Sequence, residues 1–161
     1  MAREQLTEDY IEAWNSHDPD AVALFFTDDA VYDDRGAGEL ARGREAIRAH
    51  VESVLTAFPD LRFELVRTAQ GEGFACGEWT CQMTHGGELS GLAPTGRAVS
   101  SAGVDVATLD SEDRVSHLVS YYDGAAIMRG LGLLPERNSR LERTLVRAAS
   151  TLRRGRVRAP G

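Results

Sequence analysis

The chain has 161 residues, 18 of them basic and 25 acidic, for a formal charge of −7. Every basic residue is Arg, and the placement is uneven: residues 136–161 hold 8 Arg against 2 acids (+6), residues 1–135 hold 10 Arg against 23 acids (−13). This length suits one domain burying roughly 70% of its unfolded surface, no apolar run approaches the ~20 residues that span a bilayer, and the acidic body repels a phosphate backbone, so nucleic acid is not an expected partner.

The first residues, MAREQLTEDY, are polar and acidic and lack the apolar core of a secretory signal. Residues 5–16 read as a helix, with Leu6, Tyr10, Ile11 and Trp14 at helical spacing and Glu8, Asp9 and Glu12 between them. Asp18 is a good N-cap and Pro19 fits a first helical position, which starts a short apolar helix reaching about Phe26. Residues 27–29 read as a turn, 30–33 as a short strand, and 34–42 as a polar, Gly-containing loop, with Asp33 and Asp34 in a solvated turn. Residues 43–58 read as a helix with Ile47, Val51, Val54, Leu55 and Phe58 on one face, stopped by Pro59. Four strand-like runs follow at 61–68, 74–84, 99–109 and 114–122, separated by turn signals. A short helical piece is expected at 125–131, N-capped by Asp123. Leu141, Leu145, Ala148, Ala149 and Leu152 form a helical stripe among Arg residues, expected to dock on the acidic body, and 153–161 read as disordered. A membrane surface or an anionic partner is the alternative for this tail.

Cys76 and Cys81 lie five apart in one strand, hence on opposite faces. They do not pair easily, no Cys/His cluster has metal spacing, and two reduced thiols suggest the cytoplasm. The order of elements argues for an α+β fold: short turns make consecutive strands an antiparallel meander. Three amphipathic helices in the N-terminal half then cover one face of a curved antiparallel sheet, leaving a cone with a central pocket for a small ligand.

The segment Trp14-Asn15-Ser16-His17-Asp18-Pro19-Asp20-Ala21-Val22 resembles the first helix–turn–helix of the SnoaL-like branch of the nuclear transport factor 2-like superfamily. Gly43-Arg44-Glu45-Ala46-Ile47-Arg48 resembles its third helix start, and Phe58-Pro59-Asp60-Leu61-Arg62-Phe63 its helix-to-strand junction. Glu78-Trp79-Thr80, followed by Thr84-His85-Gly86-Gly87 and Gly91-Leu92-Ala93-Pro94-Thr95-Gly96-Arg97, is the most specific match; Tyr122-Asp123 and Leu131-Gly132-Leu133-Leu134-Pro135 match the closing segment. The resemblance covers residues 5–135 and sets 136–161 apart as an Arg-rich tail. It implies an apolar pocket and, for the polyketide cyclases, intramolecular aldol ring closure without a cofactor, using an acidic residue as acid/base with a histidine nearby. It also implies a homodimer formed through the sheet face.

Asp105 lies mid-strand between apolar neighbours, where a carboxylate is costly to bury. Either it points into the cavity as the acid/base or it points to solvent. His85 either orients the substrate and polarises a carbonyl or is a strand-end histidine satisfied by the following loop. His117, on a face with Val115, Val119 and Tyr121 by alternation, is either a second pocket base or a surface residue; cyclase relatives often carry Glu at its position and Trp at Val119, and others carry Asp at Ser120. Trp14, Tyr32, Trp79, Met83 and Tyr121 are candidate pocket-wall residues, and no metal site is expected. Three functions follow. The first is a cyclase, or a related lyase or isomerase, acting on a polyketide-like apolar substrate. The second is an epoxide-opening or hydroxylation-related enzyme, which on this fold uses an Asp–Arg–Asp arrangement. The third is a non-catalytic binding module, favoured by a pocket without a close polar pair.

Overall fold

The computed structural model describes residues 3–157. Helix α1 (Arg3–Asn15) buries Leu6, Tyr10, Ile11 and Trp14, the stripe its spacing marks out. Helix α2 (Pro19–Ala23) begins at Asp18, whose Oδ1 accepts from the amides of Asp20 (2.9 Å) and Ala21 (3.2 Å). The helix ends sooner than expected. Phe26, fully buried, is already the first residue of strand β1 (Phe26–Asp34), where it pairs with Val115. Tertiary pairing overrides local helix propensity here. Residues 34–42 are likewise not all loop: β2 (Glu39–Arg42) folds back antiparallel on β1.

Helix α3 (Arg44–Ala57) follows Gly43, whose φ of +83° suits glycine at this entry, and buries Ile47, Val51 and Leu55. The meander is β3 (Arg62–Gly71), β4 (Phe74–Thr84), β5 (Ala98–Leu109) and β6 (Val115–Tyr122), antiparallel throughout. The strands form one sheet in the order β2-β1-β6-β5-β4-β3. β1 lies parallel to β6, a pairing that the antiparallel expectation did not include. Register shifts interrupt the ladders between Phe26 and Val31, Leu65 and Arg67, and Thr108 and Leu109. Each such irregularity bends a strand. The curved sheet is covered on its concave side, with α1 against β3 and β4 and α3 against β1 and β2, so the fold is α+β as expected.

Asp123 caps α4 (Gly124–Gly130) by accepting from the Ala126 amide at 2.9 Å. Helix α5 (Arg140–Val157) runs past the expected end at Leu152, and residues 158–161 lie outside the described ones. It does not dock as expected: Leu141 and Leu145 stay 59% and 52% exposed, and the helix meets the body through the Arg129–Glu142 ion pair at 3.7 Å.

One position joins fold to site. A Cβ on Gly103 would sit 2.5 Å from the Trp79 ring and 2.6 Å from the Tyr121 carbonyl oxygen. Gly103→Ala is expected to cost about 1–3 kcal/mol in denaturant unfolding through overpacking. The Trp79 side chain must shift, so its fluorescence should change as well.

Candidate functional site

The ladder places the polar groups. Asp105 stands directly opposite Ser120 in the β5–β6 register. Ser120 Oγ donates to Asp105 Oδ1 at 2.6 Å, and Trp79 Nε1 donates to the same oxygen at 3.0 Å. Asp105 thus points inward, which resolves the alternative left by the sequence. Burial raises its pKa, the hydrogen bonds from Ser120 and Trp79 lower it, and the charge of Asp34 raises it again, leaving it at about 6.

A second cluster lies where the sequence suggested a solvated turn. Asp34 is 5% exposed because β1 extends to include it, and strand alternation puts it on the inner face with Ala30 and Tyr32. Asp34 Oδ1 accepts from the Ala37 amide at 2.9 Å, and Oδ2 accepts from the Tyr122 hydroxyl at 3.1 Å. His50 Nε2 lies 3.4 Å from Asp34 Oδ2, an ion-pair contact without hydrogen-bond alignment, and His50 Nδ1 lies 3.1 Å from Glu39 Oε2. Burial pushes Asp34 up, but His50, the Ala37 amide and Tyr122 outweigh it and hold the carboxyl below its usual range. Burial disfavours a charged His50, yet the contact with Asp34 and the charges of Asp34 and Glu39 prevail and raise its pKa. Asp33 instead turns outward and pairs with Arg35 at 2.6 Å.

Both clusters line one cavity of about 530 Å³, within the roughly 300–1,000 Å³ range of small-molecule sites. Its walls include Trp14, Tyr32, Phe58, Phe63, Trp79, Met83 and Tyr122, with Leu89, Leu92, Ile127 and Leu133 from the loop and helix segments. Tyr10 also lines the cavity, and its hydroxyl is buried. No Arg lines the cavity among the described residues, and they contain no cluster of three or more potential metal ligands. None of the described helices is long and apolar enough to cross a membrane.

Trp14, Tyr32, Trp79 and Met83 therefore stand where the sequence put them, in the cavity wall. His85, His117 and Tyr121 do not. His85 is fully buried but outside the lining: β4 ends at Thr84, and the ring turns beneath the following loop against Phe58, at 5.6 Å between centroids. There its Nδ1 accepts from the Thr95 amide at 3.1 Å, which pins the loop carrying Leu89 and Leu92. His117 and Tyr121 are exposed because the irregularity between Thr108 and Leu109 resets the alternation of β6. Beyond it Leu118, Ser120 and Tyr122 face inward, so Tyr122 takes the place expected of Tyr121. Asp34, His50 and Glu39 were missed. His50 borders the apolar face of α3, three residues after Ile47 and four before Val54, and that spacing was the available signal.

This architecture has known relatives. The family model for SnoaL-like polyketide cyclases matches residues 4–131, and the chain belongs to that family. No curated protein shows significant sequence similarity to it. Among solved structures it is similar to AclR, a candidate hydroxylase from Streptomyces galilaeus (23% identity, TM-score 0.73, covering 96% of each chain). It is also similar to IdmH, a candidate polyketide cyclase from Streptomyces antibioticus (21% identity, TM-score 0.68, covering 82% of this chain and 99% of that one). SalBIII, an epoxide hydrolase/cyclase-like enzyme with a role in pyran ring formation in the polyether salinomycin, matches at 24% identity and a TM-score of 0.64, over 77% of this chain and 92% of that one. At these identities the likeness establishes the shared nuclear transport factor 2-like fold.

The Asp105 environment has a cost that can be measured. Its folded pKa of about 6 exceeds the ordinary 3.8, so between those values the native state holds the proton more tightly than the unfolded chain. Stability therefore falls as pH rises through that window, and at pH 7 the ionised group costs roughly 3 kcal/mol. Asp105→Asn should raise the Tm at pH 7 and flatten its pH dependence between pH 4 and 6, as read by thermal unfolding across that range.

Proposed function

We propose that this protein is a cofactor-independent cyclase that closes a ring by intramolecular aldol-type condensation, with Asp105 as acid/base, on a largely apolar, polyketide-like substrate held in the central cavity. The observation that carries this reading is Asp105 itself: a carboxylate in an apolar wall, held by Trp79 and Ser120, with its pKa near the range in which a base is both ionised and strong enough to take a proton. A proton must leave a carbon beside a carbonyl. A base desolvated in this manner is more effective than the same group in water. Trp79 and Ser120 both bind Oδ1, so neither of these contacts occupies Oδ2.

The two polar clusters argue against a purely non-catalytic module. Epoxide opening through an Asp–Arg–Asp arrangement finds no support, since no described Arg lines the cavity. Pocket chemistry is assigned to residues 1–135, with the Arg-rich segment from 136 onward as an appendage. Val66, Phe74, Val106 and Tyr121, at 40–55% exposure, leave the outer sheet face apolar enough to support pairing of two copies there.

The base is testable without the natural substrate. 5-Nitrobenzisoxazole loses its C3 proton to a base as its N–O bond breaks, releasing a coloured phenolate. The wild type should accelerate this reaction, with a rate that rises with pH through about 6. Asp105→Asn should lose about 100-fold or more of it. A wild type no faster than Asp105→Asn overturns the assignment.

A further inference from the structure

We propose that His50 is a second catalytic residue, the acid that delivers a proton to the substrate oxygen opposite Asp105. This inference rests on the reading of Asp105 as the base. Aldol closure needs both partners. When the Asp105 carboxylate takes the proton from the carbon, that carbon attacks a second carbonyl within the molecule. A C–C bond forms, the carbonyl π bond breaks, and the electron pair goes to its oxygen. That oxygen needs a proton, and the described lining offers no Arg to stabilise it otherwise.

His50 has the features this task requires. It lines the cavity, its side chain is only 9% exposed, and Nε2 is buried with no aligned hydrogen-bond partner. Carboxylates meet both ring nitrogens: Asp34 from β1 at 3.4 Å and Glu39 from β2 at 3.1 Å. The Tyr32 ring packs edge-on against it at 5.1 Å, and Tyr122 from β6 reaches the same cluster through Asp34. Two anions beside one imidazole favour its protonated form, in line with its raised pKa. Nε2 is buried beside Asp34, which the Ala37 amide and Tyr122 already hold, so a turn of the ring brings the Nε2 proton from Asp34 to a ligand oxygen. After the transfer His50 is neutral and Asp105 is protonated. Passing that proton back through solvent restores both groups, and no oxidant or reductant enters.

Benzisoxazoles with different leaving oxygens provide the test. In each, the base takes the C3 proton, the N–O bond breaks, and the departing oxygen benefits from an acid more as it becomes more basic. His50→Gln should slow 5-nitrobenzisoxazole slightly and unsubstituted benzisoxazole at least tenfold more. Glu39→Gln, at the exposed rim, should shift the alkaline loss of the unsubstituted reaction to lower pH, because His50 then gives up its proton earlier. Equal losses on both compounds in a folded His50→Gln would overturn this proposal alone, since they indicate a role confined to shaping the cavity. Turnover of neither compound by the wild type would overturn the Asp105 reading and this one with it. An NMR titration placing the wild-type His50 pKa below 6.5 would overturn the acid whatever Asp105 does.

Discussion

A part-buried carboxylate held by neutral donors is the constraint around which this molecule is arranged. Asp105 Oδ1 takes its hydrogen bonds from a serine hydroxyl and an indole, and neither can neutralise a charge. Keeping a carboxylate there costs stability, and the rest of the structure makes the arrangement reproducible. The β5–β6 register sets Ser120 across from it. The bare Cα of Gly103 leaves room for the Trp79 ring to lie over the strand and reach the acid. Phe63 and Tyr122 then pack on that ring, with centroids 5.1 and 5.9 Å away. Such contacts fix an indole more firmly than its hydrogen bond alone does.

Asp34 sits in the same cavity under the opposite regime. It has a histidine, a tyrosine hydroxyl and a backbone amide to hold its charge, and it stays ionised where Asp105 is raised. Two carboxylates whose surroundings push them apart are the usual mark of a division of labour between acid–base groups. The cavity thus holds a weakly held charge on β5 and a strongly held one on β1, in register with Ser120 of the strand between them. His117, by contrast, contributes nothing to either cluster, because the bulge at the start of β6 turns it outward.

The fold was readable because its signals were local and repeated: the helical spacing of Leu6, Tyr10, Ile11 and Trp14, the Asp18–Pro19 cap, and the alternation along β4. What escaped was what depends on partners distant in sequence. Asp34 looks like a turn residue until β6 is laid beside β1. Asp105 was legible because a carboxylate among valines is anomalous in any strand. His50 was not, because one histidine beside a helix stripe is ordinary until Asp34 and Glu39 arrive from other strands. Tyr121 and His117 were misplaced for a single reason: strict alternation fails at a bulge, and no residue in the run announces one.

The parallel pairing of β1 with β6 also sets an order of assembly. The Tyr122 hydroxyl reaches Asp34 across 88 positions of chain, and Asp34 registers with Ser120 in the same ladder. Each pairing in the β3 to β6 meander joins consecutive strands and can form early, whereas β1 must wait for β6 to complete its second edge. Long-range pairings of this kind are slow because loop closure precedes any reward from contact. On a ribosome, the two polar clusters therefore cannot share one cavity until β6 has emerged, and a chain halted before β6 carries Asp34 with its Tyr122 partner still unmade.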